Sequence, residues 1–245
     1  MAHYQQLKFI EIIREKMDST VFNDGRILEI GSYGVNGTIR QYFPQKNYIG
    51  VDLTEGPNVD VVGSGHEVDF ENDSFNLCIS CEVFEHNPYW KETLKNMYRM
   101  TKNNGYVCIT VASRGRLEHG TTRTDPMSSP GTTAVNWDYY KNIFKSELLN
   151  EAKKYNFSDI YCKYNSVTKD LYFFARKTKE SRWNFIDVNN KELDEIFIRK
   201  ENKSFKGKLF GGLLTIISFI FNDEVYQNLA LKLIKVRDEI NLKLK

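Results

Sequence analysis

Ile27-Leu28-Glu29-Ile30-Gly31-Ser32-Tyr33-Gly34-Val35-Asn36-Gly37 is a short β-type run that breaks into three glycines, each three residues from the last. Glycine at the end of a strand lets the backbone turn sharply and approach a ligand closely. In a chain that alternates strands and helices, that place is the carboxyl edge of a parallel sheet, where ligands sit. Asp52 follows 21 residues after Gly31, at the end of the next β-type run, Tyr48-Ile49-Gly50-Val51-Asp52. A carboxylate there can accept both hydroxyls of a ribose. Strand, glycine turn, strand and acid together predict a nucleoside site. The glycines do not have the G-x-G-x-x-G spacing of a dinucleotide turn, and Glu29 stands two residues before the first of them. A negative charge at that point opposes a pyrophosphate and favours an ammonium group.

The flanking sequence extends this pattern in both directions. Phe9, Ile10, Ile13 and Met17 share one helical face and predict a helix over 3–17. The first strand is expected over 26–30, then a helix from about Gly37 to Tyr42 that Pro44 stops. Strands follow over 59–62 and 75–80, the second apolar enough to be covered on both faces. Trp90, Leu94, Met97 and Tyr98 mark a helix that Asn103-Asn104-Gly105 should close, and Tyr106–Thr110 is a fifth strand. The stretch 112–136 is rich in Gly, Ser, Thr and Pro, and a connection of that length is functional or disordered. A helix over about 138–155 precedes two β-type runs, near 160–164 and 171–175, that can pair antiparallel across Asn165-Ser166. The fold class is therefore α/β: a doubly wound, mostly parallel seven-stranded sheet with a terminal antiparallel hairpin. Beyond it the strand pattern stops, which divides the chain into a domain over 1–178 and a helical C-terminal extension over 179–245.

Composition narrows the partners. With 41% hydrophobic and 27% charged residues in 245, the chain is globular and not disordered. Thirty-four basic against 32 acidic residues is too balanced for a protein that lives on nucleic-acid phosphates. Cys78, Cys81, Cys108 and Cys162 lie mostly in apolar runs, as buried thiols of a reducing compartment do, and Cys78-x-x-Cys81 lacks a second pair to hold zinc. The first residues do not have the pattern of a signal peptide. The longest apolar run, Leu209–Phe221, is 13 residues, short of the roughly 20 of a membrane span. A cytoplasmic protein is expected.

Over 26–177 the chain resembles the class I S-adenosylmethionine-dependent methyltransferases. Glu29-Ile30-Gly31-Ser32-Tyr33-Gly34 looks like the family's first motif, and Asp52 like its ribose-holding acid. Gly63-Ser64-Gly65-His66-Glu67-Val68-Asp69-Phe70 is similar to the turn beside the adenine, and Phe75–His86 to the fourth-strand motif. The resemblance implies S-adenosylmethionine as cofactor and S-adenosylhomocysteine as product. It assigns the donor to Glu29, Gly31, Ser32, Tyr33, Gly34, Asp52, Leu53, Ser64, Gly65, His66, Cys81 and Glu82. The Glu118-His119-Gly120-Thr121 loop and the apolar tail look like the small methyltransferases of bacterial capsule and lipopolysaccharide gene clusters. That likeness implies O-methylation of a sugar, nucleotide sugar or sugar-linked phosphate group.

A hydroxyl acceptor needs its proton taken. His119 or His86 is expected to take it, with Glu118 or Asp125 orienting the imidazole. Arg114, Arg116 and Arg123 suit an anionic small-molecule acceptor. A divalent metal on Glu118, His119 and Asp125 is the weaker reading, and no metal ligands are assigned. Two other classes compete: a non-catalytic S-adenosylmethionine-binding subunit, and an NAD-dependent nucleotide-sugar oxidoreductase. In the extension, Leu209–Phe221, flanked by Lys203, Lys206 and Lys208, is too apolar to stand exposed. Val225, Leu229, Leu233, Val236 and Ile240 mark an amphipathic last helix. Packing on the core or in a homodimer through 203–245 is preferred to contact with a membrane surface.

Overall fold

The apolar runs of the sequence become seven strands of one sheet in the computed structural model: β1 (Ile27–Ile30), β2 (Tyr48–Asp52), β3 (Val61–Val62), β4 (Phe75–Cys81), β5 (Thr101–Ala112), β6 (Phe157–Asn165) and β7 (Asp170–Lys177). The structure describes residues 3–35, 37–180, 182–188, 191–198 and 205–243. The strand order is β3-β2-β1-β4-β5-β7-β6. Neighbours run parallel except β7, which is antiparallel to both β5 and β6. The winding reverses between β1 and β4, so the chains leaving those two strands diverge and open a crevice at the carboxyl edge.

Side chains alternate across the sheet and build two layers. Along β5, Val107, Ile109 and Val111 face helices α3 (Trp90–Met100) and α5 (Lys145–Ala152). Tyr106 and Cys108 face α1 (Tyr4–Arg14), α2 (Thr20–Asn23) and α6 (Lys191–Ile198). All four cysteines are free thiols, and Cys78, Cys108 and Cys162 are buried, as expected.

Several boundaries move, each for a local reason. The helix expected from Gly37 to Tyr42 is only a 3-10 turn over Arg40–Tyr42. There the Arg40 guanidinium reaches back to Asp60 (2.9 Å) and the Tyr48 carbonyl (3.3 Å). The third strand shortens to Val61–Val62, and α1 stops at Arg14, not Met17. Helix α3 ends at Met100, where the Thr101 hydroxyl donates to the Met97 carbonyl (2.7 Å). Asn103-Asn104-Gly105 therefore lies inside β5, with Asn104 at φ 64°. The helix expected over 138–155 forms only over Lys145–Ala152. Asn142 is drawn out of it, because its backbone N–H and its amide both donate to Asp223 (2.9 and 2.8 Å). The hairpin turn lies after Asn165, whose side chain accepts from the N–H groups of Val167 and Thr168 (2.9 and 3.3 Å).

The extension divides differently from the expected boundary. Val188 and α6 residues Leu193, Ile196 and Phe197 fill the second layer, and Phe185 pairs with Ile160 of β6. What stands outside the sheet layers is the helical pair α7 (Phe205–Ile220) and α8 (Asp223–Lys243). They share a small core of Leu214, Tyr226 and Ala230 with Leu117. Most of the apolar segment is not packed on the core: Leu209 is 69% exposed and Phe219 65%, with Leu213, Ile216 and Ile220 beside them. In α8, Val225, Val236 and Ile240 face outward, opposite to the expected orientation. The inner face is mixed: beside Tyr226 and Ala230 it carries Asp223 and Gln227, which hydrogen-bond the loop below. Lys203 lies outside the described residues, as do the side chains of Lys206 and Lys208. No described helix is long and apolar enough to cross a membrane.

Candidate active site

The crevice between β1 and β4 is a cleft open to solvent at its mouth. Its floor is the glycine turn. Gly31 sits at φ 83°, and a Cβ there would lie 2.0 Å from the Val83 side chain. At Gly34 a Cβ would meet the Asn58 amide at 2.4 Å. The Tyr33 ring covers Gly56, and its N–H donates to Asp52 Oδ2 (2.9 Å). The Leu53 N–H donates to Asp52 Oδ1 (2.7 Å). Burial raises the Asp52 carboxyl, and these two N–H groups oppose that. Ionised Asp52 keeps lone pairs for two further donors.

Glu29 closes the near end of the cleft. It is buried, and its carboxylate accepts from the Tyr48 hydroxyl (2.7 Å). Burial pushes its carboxyl up to about 7, against that hydrogen bond. Ser32, Leu53, Ser64, Gly65, Cys81 and Glu82 all line the same space. The Ser32 hydroxyl is buried and unpartnered there. Gly34 and His66 are the exceptions among the expected donor residues: the Gly34 N–H turns to the Pro57 carbonyl (3.0 Å), and His66 hydrogen-bonds Ser64 and stacks on Tyr89 at 4.3 Å, one layer behind the wall. Trp137 lines the wall instead. The roof is Ser128–Thr132, including the short helix α4 (Pro130–Ala134). A Cβ on Gly131 would lie 2.6 Å from Asp52 Oδ1, so the long polar loop folds down onto the acid.

At the far end of the cleft stand Gln6, Glu82 and His86. Glu82 has φ 55°, a strained value for a non-glycine residue. Behind them is a buried set of polar side chains. The His86 ring meets His119 (5.0 Å) and Tyr140 (5.3 Å). Both oxygens of Glu82 and of Glu85, and Nδ1 of His86, are buried without a hydrogen-bond partner. Burial, then the charge of Glu82, raises the Glu85 carboxyl. Burial lowers both imidazoles, so both are neutral near pH 7. Further in, Asp170 is held by His3 (2.8 Å) and faces Arg116 (3.5 Å).

His86 and His119, the two alternatives for the base, are thus brought together from two separate loops. The expected orienting groups are not there. Glu118 takes a two-pronged ion pair from Arg123 and accepts from the Thr121 hydroxyl (2.6 Å). Asp125 is exposed and accepts from Ser128 (2.6 Å). His119 is instead oriented by its Nδ1, which donates to the Leu117 carbonyl (3.0 Å). The weaker metal set of Glu118, His119 and Asp125 is therefore not assembled.

Two of the three expected acceptor-binding arginines anchor the extension. Arg114 donates to the Ser218 carbonyl of α7 (2.6 Å) and lies over Phe144 and Phe219. Arg123 reaches Asn228 of α8 (2.7 Å). Only Arg116 faces the buried set. Sequence reasoning missed Gln6, Glu85, Trp137, Tyr140 and Asp170. Glu85 was legible as the partner of His86 in the fourth-strand motif; the others come from distant elements with no local signature.

Residues 28–109, from β1 into β5, match the family described as a methyltransferase domain. No match to the chain was found among curated proteins. Among solved structures, a provisionally named methyltransferase from Bacillus halodurans C-125 is 12% identical with a TM-score of 0.50, over 71% of this chain and 99% of that one. Phosphoethanolamine N-methyltransferase 2 of Haemonchus contortus, in complex with S-adenosyl-L-methionine, is 18% identical with a TM-score of 0.51, over 72% of this chain and 53% of that one. The chain spans about half the length of the Haemonchus enzyme. At these identities the structural likeness shows a shared fold. The matched methyltransferase segment carries Gly31 and Asp52, and both line the cleft.

Proposed function

We propose that the chain methylates a hydroxyl group of a small carbohydrate. The observation that carries this reading is the meeting of His86 and His119 at the end of the donor cleft, beside the unpartnered carboxylates of Glu82 and Glu85. Buried acceptors without partners are costly unless a ligand supplies donors, and a polyhydroxylated molecule supplies several. A phosphate-bearing group would need unengaged cations, but Arg114 and Arg123 bind α7 and α8, and Arg116 faces Asp170. The sugar itself is thus the better-supported part of the acceptor. The resemblance to capsule and lipopolysaccharide methyltransferases supports the same class.

Glu29 would hold the donor's ammonium and Asp52 the ribose hydroxyls, and Trp137 and Ser64 would bound the base. When bound, S-adenosylmethionine supplies a methyl carbon on a sulfonium that leaves as a neutral thioether while the new C–O bond forms. Helix α4 excludes water above Asp52. The acceptor hydroxyl is activated at the cluster of Glu85, His86 and His119; a neutral imidazole taking the proton is its simplest form. A non-catalytic binding subunit would have no use for this cluster.

The test is calorimetry with S-adenosylhomocysteine and NAD, followed by a screen of carbohydrate acceptors. Micromolar binding of S-adenosylhomocysteine, weakened in Asp52→Ala, with no NAD binding, is expected. His119→Ala should abolish transfer and leave donor affinity intact. Tighter binding of NAD, or unchanged turnover in His119→Ala, would overturn the reading.

A further inference from the structure

We propose that Glu85, His86 and His119 hold a divalent transition-metal ion, and that the acceptor oxygen binds to it. The proposal rests on the hydroxyl-acceptor reading and names how that hydroxyl is activated. One ligand atom from each of the three residues lies within 4.8 Å of the others. Two imidazoles and one carboxylate form a set suited to manganese, iron or zinc, with open positions for substrate.

Three further observations point to an ion. Glu85 is fully buried, yet neither carboxylate oxygen has a partner. Buried carboxylates are otherwise paired or coordinate metals. Nδ1 of His86 is likewise buried and unpartnered. His119 Nδ1 must be the N–H nitrogen, since it faces the carbonyl of Leu117 (3.0 Å), and that leaves its Nε2 with a lone pair. An imidazole held by a backbone carbonyl through its other nitrogen is the usual arrangement of a metal-binding histidine.

The ligand loops are held at both ends. Glu85 and His86 lie on a 3-10 turn, Phe84–His86, directly after β4. The His119 loop is fastened to α8, where the Glu118 N–H donates to Gln227 (2.9 Å) and Arg123 bridges Glu118 to Asn228. A bound ion lowers the pKa of a hydroxyl that coordinates it. The imidazoles then act as ligands, and the proton passes to Glu82, whose oxygens are unpartnered at the end of the cleft. The oxygen forms its bond to the methyl carbon as the carbon–sulfur bond breaks.

Chelator-treated full-length protein should be titrated with Mn²⁺ under electron paramagnetic resonance, and with Zn²⁺ under calorimetry. One ion per chain is expected. Glu85→Gln and His119→Ala should each weaken it by about tenfold or more, while S-adenosylhomocysteine affinity, read on the same samples, stays unchanged and shows that each variant folds. Failure of the wild type to bind either ion, or equal binding by both variants, would overturn the site. Carbohydrate methylation undiminished by chelator would also overturn it and leave the hydroxyl-acceptor reading standing. Stoichiometric binding lost in both variants, with transfer to an amine only, would uphold the site and sink that reading.

Discussion

Glu29 should make donor binding depend on pH near neutrality. Its carboxyl is pushed up to about 7 by burial at the head of the cleft, so roughly half of it is protonated at pH 7. An incoming ammonium is held by the carboxylate and not by the acid. Binding should therefore draw Glu29 to its ionised form and release a proton. The sign follows: affinity is full above pH 7 and falls as pH drops through it. If only the ionised form binds well, the population of that form lowers affinity about eightfold between pH 7.5 and 6.0. Calorimetry of S-adenosylhomocysteine in buffers of different ionisation enthalpy would read both the affinity and the proton released. Glu29→Gln keeps an acceptor for the Tyr48 hydroxyl but has no proton to lose. It should bind weakly, with a flat profile. A flat profile in the wild type, or an equal slope in Glu29→Gln, would refute the assignment of Glu29 to the ammonium.

Three further outcomes are expected. Gly131→Val adds a Cβ that would lie 2.6 Å from Asp52 Oδ1, so it should lift α4 and weaken S-adenosylhomocysteine by about tenfold; unchanged affinity would mean that α4 does not close on the ribose acid. Trp137 lines the cleft, whereas Trp90 is buried beneath the sheet, so donor binding should change tryptophan fluorescence in the wild type and leave it nearly unchanged in Trp137→Phe. The outer faces of α7 and α8 expose apolar area on the order of 1,000 Å² per chain, enough for a stable interface, and the exposed charges among them are mixed (Lys232, Lys235, Glu239), which suits a second copy better than an anionic surface. Sedimentation should show a dimer that the pair Ile216→Glu and Phe219→Glu converts to a monomer.

The glycine turn and acid at the floor of the cleft were visible in the sequence because their elements are local. Strand, glycine turn and acid occupy consecutive positions, and parallel pairing of β1 with β2 and β4 carries them to one sheet edge. His66 was misplaced by one layer, since which side of a turn meets the ligand depends on what stacks behind it, and Tyr89 comes from elsewhere. The helix boundaries near 37–42 and 138–145 depended on Arg40 and Asn142, side chains whose partners lie 8 to 81 residues away.

The chain's own order of residues determined the fold class, the glycine turn, Asp52 and the presence of two histidines near the end of the cleft. Periodicity and turn chemistry act over a few residues, and a sequence displays them directly. Tertiary structure decided what the long polar loop does. Arg114, Arg123, Glu118 and Asp125 look alike in sequence, all charged and close to His119. Only folding shows that α7 and α8 claim Arg114 and Arg123, that Glu118 neutralises Arg123, and that Asp125 faces solvent. It also set Glu85 without a partner beside His86 and His119. Which charges are satisfied, and which stay buried and unsatisfied, depends on distances between residues far apart in the chain.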